Sequence, residues 1–62
     1  MDSRTVICRV VDEGWYEVRI AGGHHHFRHP TRPGIVTVPH LKKDPPIGTL
    51  RSIERQSGVK LS

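Results

Sequence analysis

Cysteine and aromatic residues are scarce in this chain of 62 residues. Cys8 is the single cysteine, which excludes an intrachain disulfide and a cysteine-based zinc site and favours a reducing compartment over secretion. Phenylalanine, tyrosine and tryptophan occur once each, and only 34% of the residues are hydrophobic. We therefore expect a small core that depends on packing alone, because a chain of this length buries only about 60% of its unfolded surface.

Long apolar segments are also absent. No apolar run approaches the ~20 residues that span a bilayer, and the residues around Asp2 lack the apolar stretch of a signal peptide. A chain this short has no room for a Rossmann domain, a barrel or an enclosed cofactor pocket. The sequence therefore predicts one soluble, cytoplasmic domain over residues 1–62, without membrane contact or cofactor.

Positive charge is in excess. Lys and Arg number 10 and Asp and Glu number 6, so the net charge is +4 with neutral histidines, and the pI is near 10.0. The 5 histidines add positive charge when they are protonated. This balance favours a nucleic acid or an acidic protein as partner, and by itself it does not choose between them.

Residues 3–13 predict an amphipathic helix. Ser3 is a suitable N-cap, and Gly14 is a suitable left-handed end. Cys8 is expected as a small core residue of this helix. The many β-branched residues leave a strand as the competing interpretation, but the caps and the paired spacing favour a helix. Four apolar residues share one sector of it: Val6, Ile7, Val10 and Val11.

Three short segments predict an antiparallel meander. Residues 15–20 alternate with period two, Gly22-Gly23 reads as a hairpin turn, and residues 24–29 alternate again. Residues 31–34 form a turn, and residues 35–38 form the third strand.

Phe27 marks the core face of the second strand, because it is the only phenylalanine. His25 then points inward, since alternate residues of a strand share a face. The opposite side of the sheet is called the open face, and it is predicted to carry Arg19, His24, His26 and Arg28.

A second helix is predicted after Pro45-Pro46, because a missing N–H costs little at a helix start. Gly58 is a suitable end, and Val59 and Leu61 are expected to fold back over it. The order is α-β-β-β-α. This is an α+β fold in which both helices cover one face of a three-stranded antiparallel sheet. Apolar residues recur at three-residue spacing: Ile47, Leu50 and Ile53.

The run His24-His25-His26 has three interpretations. A metal site would combine His24 and His26 with His40, but no cysteine or suitably placed carboxylate completes it, so no metal is predicted. A structural role suits His25 and His29. A proton-transfer role suits His24, which follows the glycine turn on the open face. Imidazole groups titrate with a pKa of about 6.5, so they exchange protons at neutral pH.

RNA cleavage is the chemistry that needs such a residue and little else. RNA carries its own nucleophile, the 2′-hydroxyl, so an enzyme has only to remove that proton, neutralise phosphate charge and protonate the leaving oxygen. Histidine and cationic side chains are sufficient for these steps, and no metal is required. The candidates for binding the RNA are Arg19, Gly22, Gly23, His26, Arg28, Lys42 and Lys43. Any single cation among them also suits a solvated surface.

Trp15 lies in the open-face register, where it either stacks on a base or packs at the strand edge. Glu17 and Glu54 are far apart in sequence and are interpreted as solvated. Without a carboxylate pair, a two-metal nuclease is disfavoured.

Three segments resemble a known family: residues 22–30 (GGHHHFRHP), 36–40 (VTVPH) and 46–53 (PIGTLRSI). Together with Gly14-Trp15 they resemble the HicA toxin family over nearly the whole chain. The resemblance implies a bacterial mRNA interferase with a double-stranded-RNA-binding-like fold, neutralised by a HicB antitoxin. It also implies that His24 is the histidine required for toxicity.

The sequence departs from the family pattern at Gly23, where serine is frequent, and at Glu54, where an apolar residue is common. The function predicted from sequence is a metal-independent endoribonuclease toxin in the bacterial cytoplasm, with mRNA and a HicB-like antitoxin as partners. One alternative is a non-catalytic RNA-binding module, which predicts binding without cleavage. Another is a histidine-based metal carrier, which predicts stoichiometric zinc binding.

Overall fold

Two helices and three strands follow one another in the order α-β-β-β-α in a computed structural model that describes residues 1–61. Their bounds are α1 Ser3–Asp12, β1 Tyr16–Ala21, β2 His24–Arg28, β3 Val36–Pro39 and α2 Ile47–Ser57. The strands pair antiparallel in the spatial order β1-β2-β3. The predicted α+β fold is confirmed, and each strand boundary lies within one residue of the predicted one. None of the helices within residues 1–61 has the length and apolar character to cross a membrane.

Asp2 is the N-cap of α1, so the prediction that Ser3 caps this helix is wrong. The Asp2 Oδ1 atom accepts a hydrogen bond from the Thr5 backbone N–H at 2.9 Å. That bond, together with one from the Thr5 side chain, lowers the pKa of the Asp2 carboxyl. Ser3 is instead buried in the first turn, where its Oγ accepts from the Lys42 N–H at 3.0 Å and its N–H donates to the Lys42 carbonyl at 2.8 Å.

The core lies between the helices and the sheet face that carries Phe27. Val36 and Val38 of β3 share this face with Phe27, because the paired residues of β2 and β3 lie side by side. Side chains from both helices complete it, so α1 and α2 cover the same face of the sheet. The buried apolar residues are Val6, Val10, Trp15, Phe27, Val36, Val38, Ile53, Val59 and Leu61.

Trp15 takes the packed one of its two predicted alternatives, whereas the prediction of Cys8 as a core residue is wrong. Trp15 is 1% exposed and belongs to the core, where its Nε1–H donates to the Ser57 carbonyl at 3.2 Å. It precedes the first paired residue of β1, so the strand register does not set its direction. Cys8 is exposed, because it lies about 200° around α1 from both Val6 and Val10, the buried ridge of that helix.

A β-bulge at Val18 interrupts the alternation of β1. On either side of it, Tyr16 pairs with Arg28 and Arg19 pairs with His26. Directly paired residues share a sheet face, so Tyr16 and Arg19 both lie on the open face. Strict period two would have separated them, and the predicted alternation through residues 15–20 is therefore broken at this point.

The end of α2 is held by the residues that follow it. Gly58 has φ +74°, the predicted left-handed end. The Leu61 N–H donates to the Glu54 carboxylate at 2.7 Å, and the Val59 N–H donates to the Ser57 hydroxyl at 3.0 Å. These bonds confirm that Val59 and Leu61 fold back onto the core. They also show that the interpretation of Glu54 as merely solvated is wrong.

Candidate active site

His24 is the first residue of β2 and follows a two-glycine turn. Gly22 and Gly23 have φ +58° and +74°, the left-handed values that a type I′ hairpin turn requires at both positions. His24 pairs with Ala21 on one side and Pro39 on the other, so its position in the sheet is fixed from both neighbouring strands. Its side chain lies exposed on the open face.

The His24 ring is oriented by its own turn. Its Nδ1 atom lies 2.9 Å from the Gly22 carbonyl oxygen. A carbonyl oxygen only accepts hydrogen bonds, so Nδ1 of the neutral ring carries the proton and Nε2 is the nitrogen with a lone pair. The side chain can therefore take a proton at Nε2 and return it without losing its contact with the turn.

A cleft opens beside His24, between the edge of β3 and helix α2, and is here called the α2 cleft. Its volume is about 430 Å³. Thr37 and Pro39 lie on its β3 side, and both pair with open-face residues of β2. The Gln56 Oε1 atom accepts from the Thr37 N–H at 3.3 Å, which ties α2 to the β3 edge. The cleft is lined by Gly23, His24, Thr37, Pro39, Lys42, Pro46, Thr49, Ser52 and Gln56.

Three of the predicted RNA-binding side chains share the open face with His24. Arg19 pairs with His26, and Arg28 lies two residues further along β2. Both arginines are exposed. His26 is half-buried, and its Nδ1 atom lies 3.1 Å from the Thr37 hydroxyl. The open face therefore presents two exposed arginines and one anchored imidazole beside His24.

Only one of the two predicted lysines lines the α2 cleft, and it is Lys42. Both lysines border a second hollow of about 200 Å³ with Asp2 and Arg4, near the start of α1. The structure thus brings Gly22, Gly23 and Lys42 to His24 and leaves Lys43 apart.

A hydrogen-bonded chain of three side chains lies on the helix side of the hairpin. The Glu17 carboxylate accepts from His25 Nδ1 at 2.5 Å, and His25 Nε2 lies 2.7 Å from His40 Nδ1. The His25 and His40 rings are stacked with centroids 5.0 Å apart. The His40 N–H also donates to the Gly23 carbonyl at 2.8 Å. Glu17 is thus engaged, which corrects its interpretation as solvated, and the chain braces the turn from the side opposite His24.

His29 has the structural role that the sequence predicts. Its Nδ1 atom accepts from the Thr31 and Arg32 N–H groups at 3.1 and 3.2 Å. Nε2 therefore carries the proton and donates to the Glu13 carbonyl at 2.9 Å. The ring meets Trp15 edge-on with centroids 5.1 Å apart. His29 joins the end of α1 to the loop after β2.

Gly14 makes room for that ring. It has φ +98°, the predicted left-handed end of α1, and a Cβ atom there would lie 2.7 Å from His29 Nε2. Both the conformation and the close approach require glycine.

Within residues 1–61, no three His, Cys, Asp or Glu side chains are grouped so as to hold a metal ion. His25 directs its two ring nitrogens at Glu17 and His40 instead of at a shared centre.

The polar wall of the α2 cleft was missed by sequence reasoning. Thr49, Ser52 and Gln56 recur at i, i+3 and i+7, the spacing of one helix face. That polar stripe was a detectable signal, but the prediction of α2 rested on its apolar residues alone. The chain from Glu17 through His25 to His40 offered no such signal, because its members are distant in sequence.

The fold and the site together define a small basic α+β domain with an exposed, turn-held histidine on an uncovered sheet face. The family described as HicA toxin of bacterial toxin-antitoxin matches residues 3–59. The chain belongs to the HicA toxin family and is thus a toxin of a toxin–antitoxin system, which confirms the resemblance inferred from sequence.

One similar solved structure is described as "HicA3 and HicB3 toxin-antitoxin complex". It is 33% identical, with a TM-score of 0.82, and the match covers 100% of both chains. A comparison with curated proteins gives no match.

The departure from the family pattern at Gly23 has a conformational reason. With φ +74°, this position would strain any residue with a Cβ atom, serine included. The turn of this chain therefore uses two glycines in place of a glycine and a hydroxyl.

Proposed function

We propose that this toxin is an endoribonuclease that cleaves mRNA, with His24 as the residue that transfers the proton. The observation that carries the proposal is the His24 ring, which is exposed on the open face with Nδ1 held by the Gly22 carbonyl and Nε2 directed at no protein group within residues 1–61. His29, which has a structural role, has both ring nitrogens engaged by protein groups.

The reaction needs no external nucleophile. The RNA 2′-oxygen attacks the adjacent phosphorus, the new O–P bond forms as the P–O5′ bond breaks, and the products are a 2′,3′-cyclic phosphate and a 5′-hydroxyl. The 2′-hydroxyl proton passes to His24 Nε2, and the 5′-oxygen receives a proton from an acid or from water. Cations near the phosphate stabilise the charge that develops on its oxygens.

The open face supplies those cations. Arg19 and Arg28 are exposed on the same side as His24, where they can hold phosphates on either side of the cleaved bond. Lys42 does so from the α2 cleft. Gly22 and Gly23 carry no side chains, so the sugar-phosphate backbone of the RNA can approach the turn closely. Lys43 contributes only to the long-range positive potential.

We further propose a HicB-like antitoxin as the protein partner and the bacterial cytoplasm as the location, with residues 1–62 acting as a single toxin domain. Two observations support the partner: the structural match to a HicA3–HicB3 complex over the full length of both chains, and a net charge of +4, which favours an acidic surface. An antitoxin seated on the open face would occupy the place of RNA.

The test is the His24→Ala variant, assayed as purified protein on RNA in the presence of EDTA. Loss of the proton-transfer group is expected to lower the cleavage rate by about 100-fold or more. Cys8→Ala is the control, because Cys8 is exposed on α1, on the far side of the sheet. It should cleave at the wild-type rate.

Circular dichroism establishes that both variants are folded. Full activity of folded His24→Ala would refute the assignment of His24. Abolition of wild-type cleavage by EDTA would refute the metal-free mechanism. If wild-type protein binds RNA but does not cleave it at any pH, the protein is an RNA-binding module and not an enzyme.

A further inference from the structure

The α2 cleft is polar on the side that helix α2 forms. Thr49, Ser52 and Gln56 form one stripe of α2, and all three line the cleft. Hydroxyl and amide groups both donate and accept hydrogen bonds, as the edges of nucleobases do. Such a wall is suited to reading a base, whereas a purely electrostatic phosphate groove would consist of cations.

Gln56 is held in one orientation. Its Oε1 atom accepts from the Thr37 N–H at 3.3 Å, so the oxygen faces β3. The amide nitrogen lies on the other branch, so Gln56 can offer its two N–H donors to the cleft that it lines. This fixed donor set selects an acceptor atom on the ligand.

The size and charge of the cleft also suit a nucleotide. Its volume of about 430 Å³ lies within the range of about 300–1,000 Å³ that is typical of small-molecule sites. Lys42 provides positive charge, and no carboxylate is among the described residues that line it. His24 also lines the cleft, so a nucleotide whose phosphate lies at His24 has its base within reach of α2.

We propose that the α2 cleft binds the nucleobase adjacent to the cleaved phosphate, and that Gln56 and Thr49 select it. The Gln56 N–H donors favour a base with a carbonyl oxygen at the recognised edge, uracil or guanine, over adenine or cytosine, which present an amino group there. The helix α2 thereby sets the sequence preference of the toxin. The proposal rests on the proposed function, since it assigns the cleft to the RNA that His24 cleaves.

The binding test uses the ¹⁵N-labelled wild-type protein, titrated separately with uridine, guanosine, adenosine and cytidine 5′-monophosphate and followed by NMR. We expect the backbone amide resonances of Thr49, Ser52 and Gln56 to shift. Uridine or guanosine monophosphate should bind about fivefold or more tightly than the adenosine and cytidine nucleotides.

Two variants test the selection. Gln56→Glu still accepts from the Thr37 N–H, but it offers only acceptors to the cleft. The preference should therefore move towards cytosine and adenine, which carry an amino group where uracil and guanine carry the carbonyl oxygen. Thr49→Val removes a hydroxyl without changing the shape, and it should reduce the discrimination. Gly48→Ala is the control, because a Cβ atom there meets no atom within 4 Å and Gly48 does not line the cleft. It should keep the wild-type preference.

The same proteins are then assayed for cleavage of an RNA library randomised around the cleaved bond. Gln56→Glu and Thr49→Val should change the ratio of kcat/KM between sequences, whereas His24→Ala lowers all sequences alike. An unchanged preference in both variants, or nucleotide-induced shifts confined to residues outside the cleft, would overturn the inference. Nucleotide binding in the cleft without any RNA cleavage would instead refute the proposed function and leave the nucleotide site standing.

Discussion

Hydrogen-bond partners decide which histidine nitrogens of this protein are available to a substrate. The Gly22 carbonyl holds Nδ1 of His24 and leaves Nε2 without a partner among residues 1–61, whereas His25 and His29 have partners on both nitrogens. Three consecutive histidines therefore do not act as one group. The first of them is presented to solvent, and the second braces the hairpin through Glu17.

At the scale of single residues, the sequence predicts direction better than it predicts partners. The place of His24 on the open face follows from alternation and from Phe27, both of which are local. The burial of Trp15 and the bond between Glu17 and His25 depend on segments that meet only in the folded chain. No pattern around Trp15 reveals the Ser57 carbonyl that it contacts.

The Asp2 cap gives a pH-dependent prediction. Asp2→Ala is expected to lower the free energy of unfolding at neutral pH, while Asp2→Asn should retain most of it because an amide oxygen also caps a helix. The pKa of the Asp2 carboxyl is lowered in the folded protein from 3.8. The part of its contribution that depends on the charge is therefore complete well above that value and is lost as the pH falls through the folded-state pKa.

Urea unfolding of the wild type and of Asp2→Ala at about pH 7 and about pH 2 measures this effect. The difference in stability between the two proteins should be present at the higher pH and shrink at the lower one. A difference of equal size at both pH values would show that the carboxylate charge contributes nothing.

At the scale of helices and strands, glycine and proline account for the accuracy of the predicted boundaries. Gly14, Gly22 and Gly58 all have positive φ at the ends that the sequence assigned to them. The β-bulge at Val18 was not predictable in the same way, because a bulge is a mismatch with a partner strand and no residue type marks it.

The return of the chain after α2 gives a prediction at this scale. Leu61 is 6% exposed, and its N–H is held by Glu54. Leu61→Ala is expected to lower the free energy of unfolding by about 2–4 kcal/mol, because it leaves a cavity against the core. Urea or thermal unfolding measures the change.

Leu41→Ala is the matched control, since Leu41 is 59% exposed. It should change the free energy of unfolding by less than about 0.5 kcal/mol. Equal effects of the two substitutions would mean that residues 59–61 do not contribute to the core.

At the scale of the whole molecule, positive charge is spread over both sides of the sheet, and only part of it faces His24. Arg19 and Arg28 lie on the open face, while Arg9 lies on α1, where its Nη1 donates to the Lys60 carbonyl at 3.5 Å. The net charge of +4 alone does not distinguish these positions. The fold does, because the helices occupy one face and leave the other to a ligand.

The salt dependence of RNA binding tests this division of charge. For the inactive His24→Ala protein, the logarithm of the affinity for a single-stranded RNA should fall with the logarithm of salt concentration, with a slope of about −0.7 for each phosphate contacted. Arg19→Gln and Arg28→Gln should each make the slope shallower by about 0.7.

Arg9→Gln removes the same charge from the helix side and serves as the control. Its slope should equal that of the parent protein in a fluorescence anisotropy titration over a range of salt concentrations. An equal reduction of the slope in all three variants would show that RNA affinity depends on the net charge and not on the cations of the open face.

The close approach of Gly14 to His29 has a consequence for how this sequence can diverge. A side chain at position 14 would displace the His29 ring, which would in turn release the N–H groups of Thr31 and Arg32. Neither position can change alone without cost to the other. Among descendants of this protein, glycine should therefore persist at position 14 even where position 29 changes, because the positive φ strains any larger residue whatever the space around it.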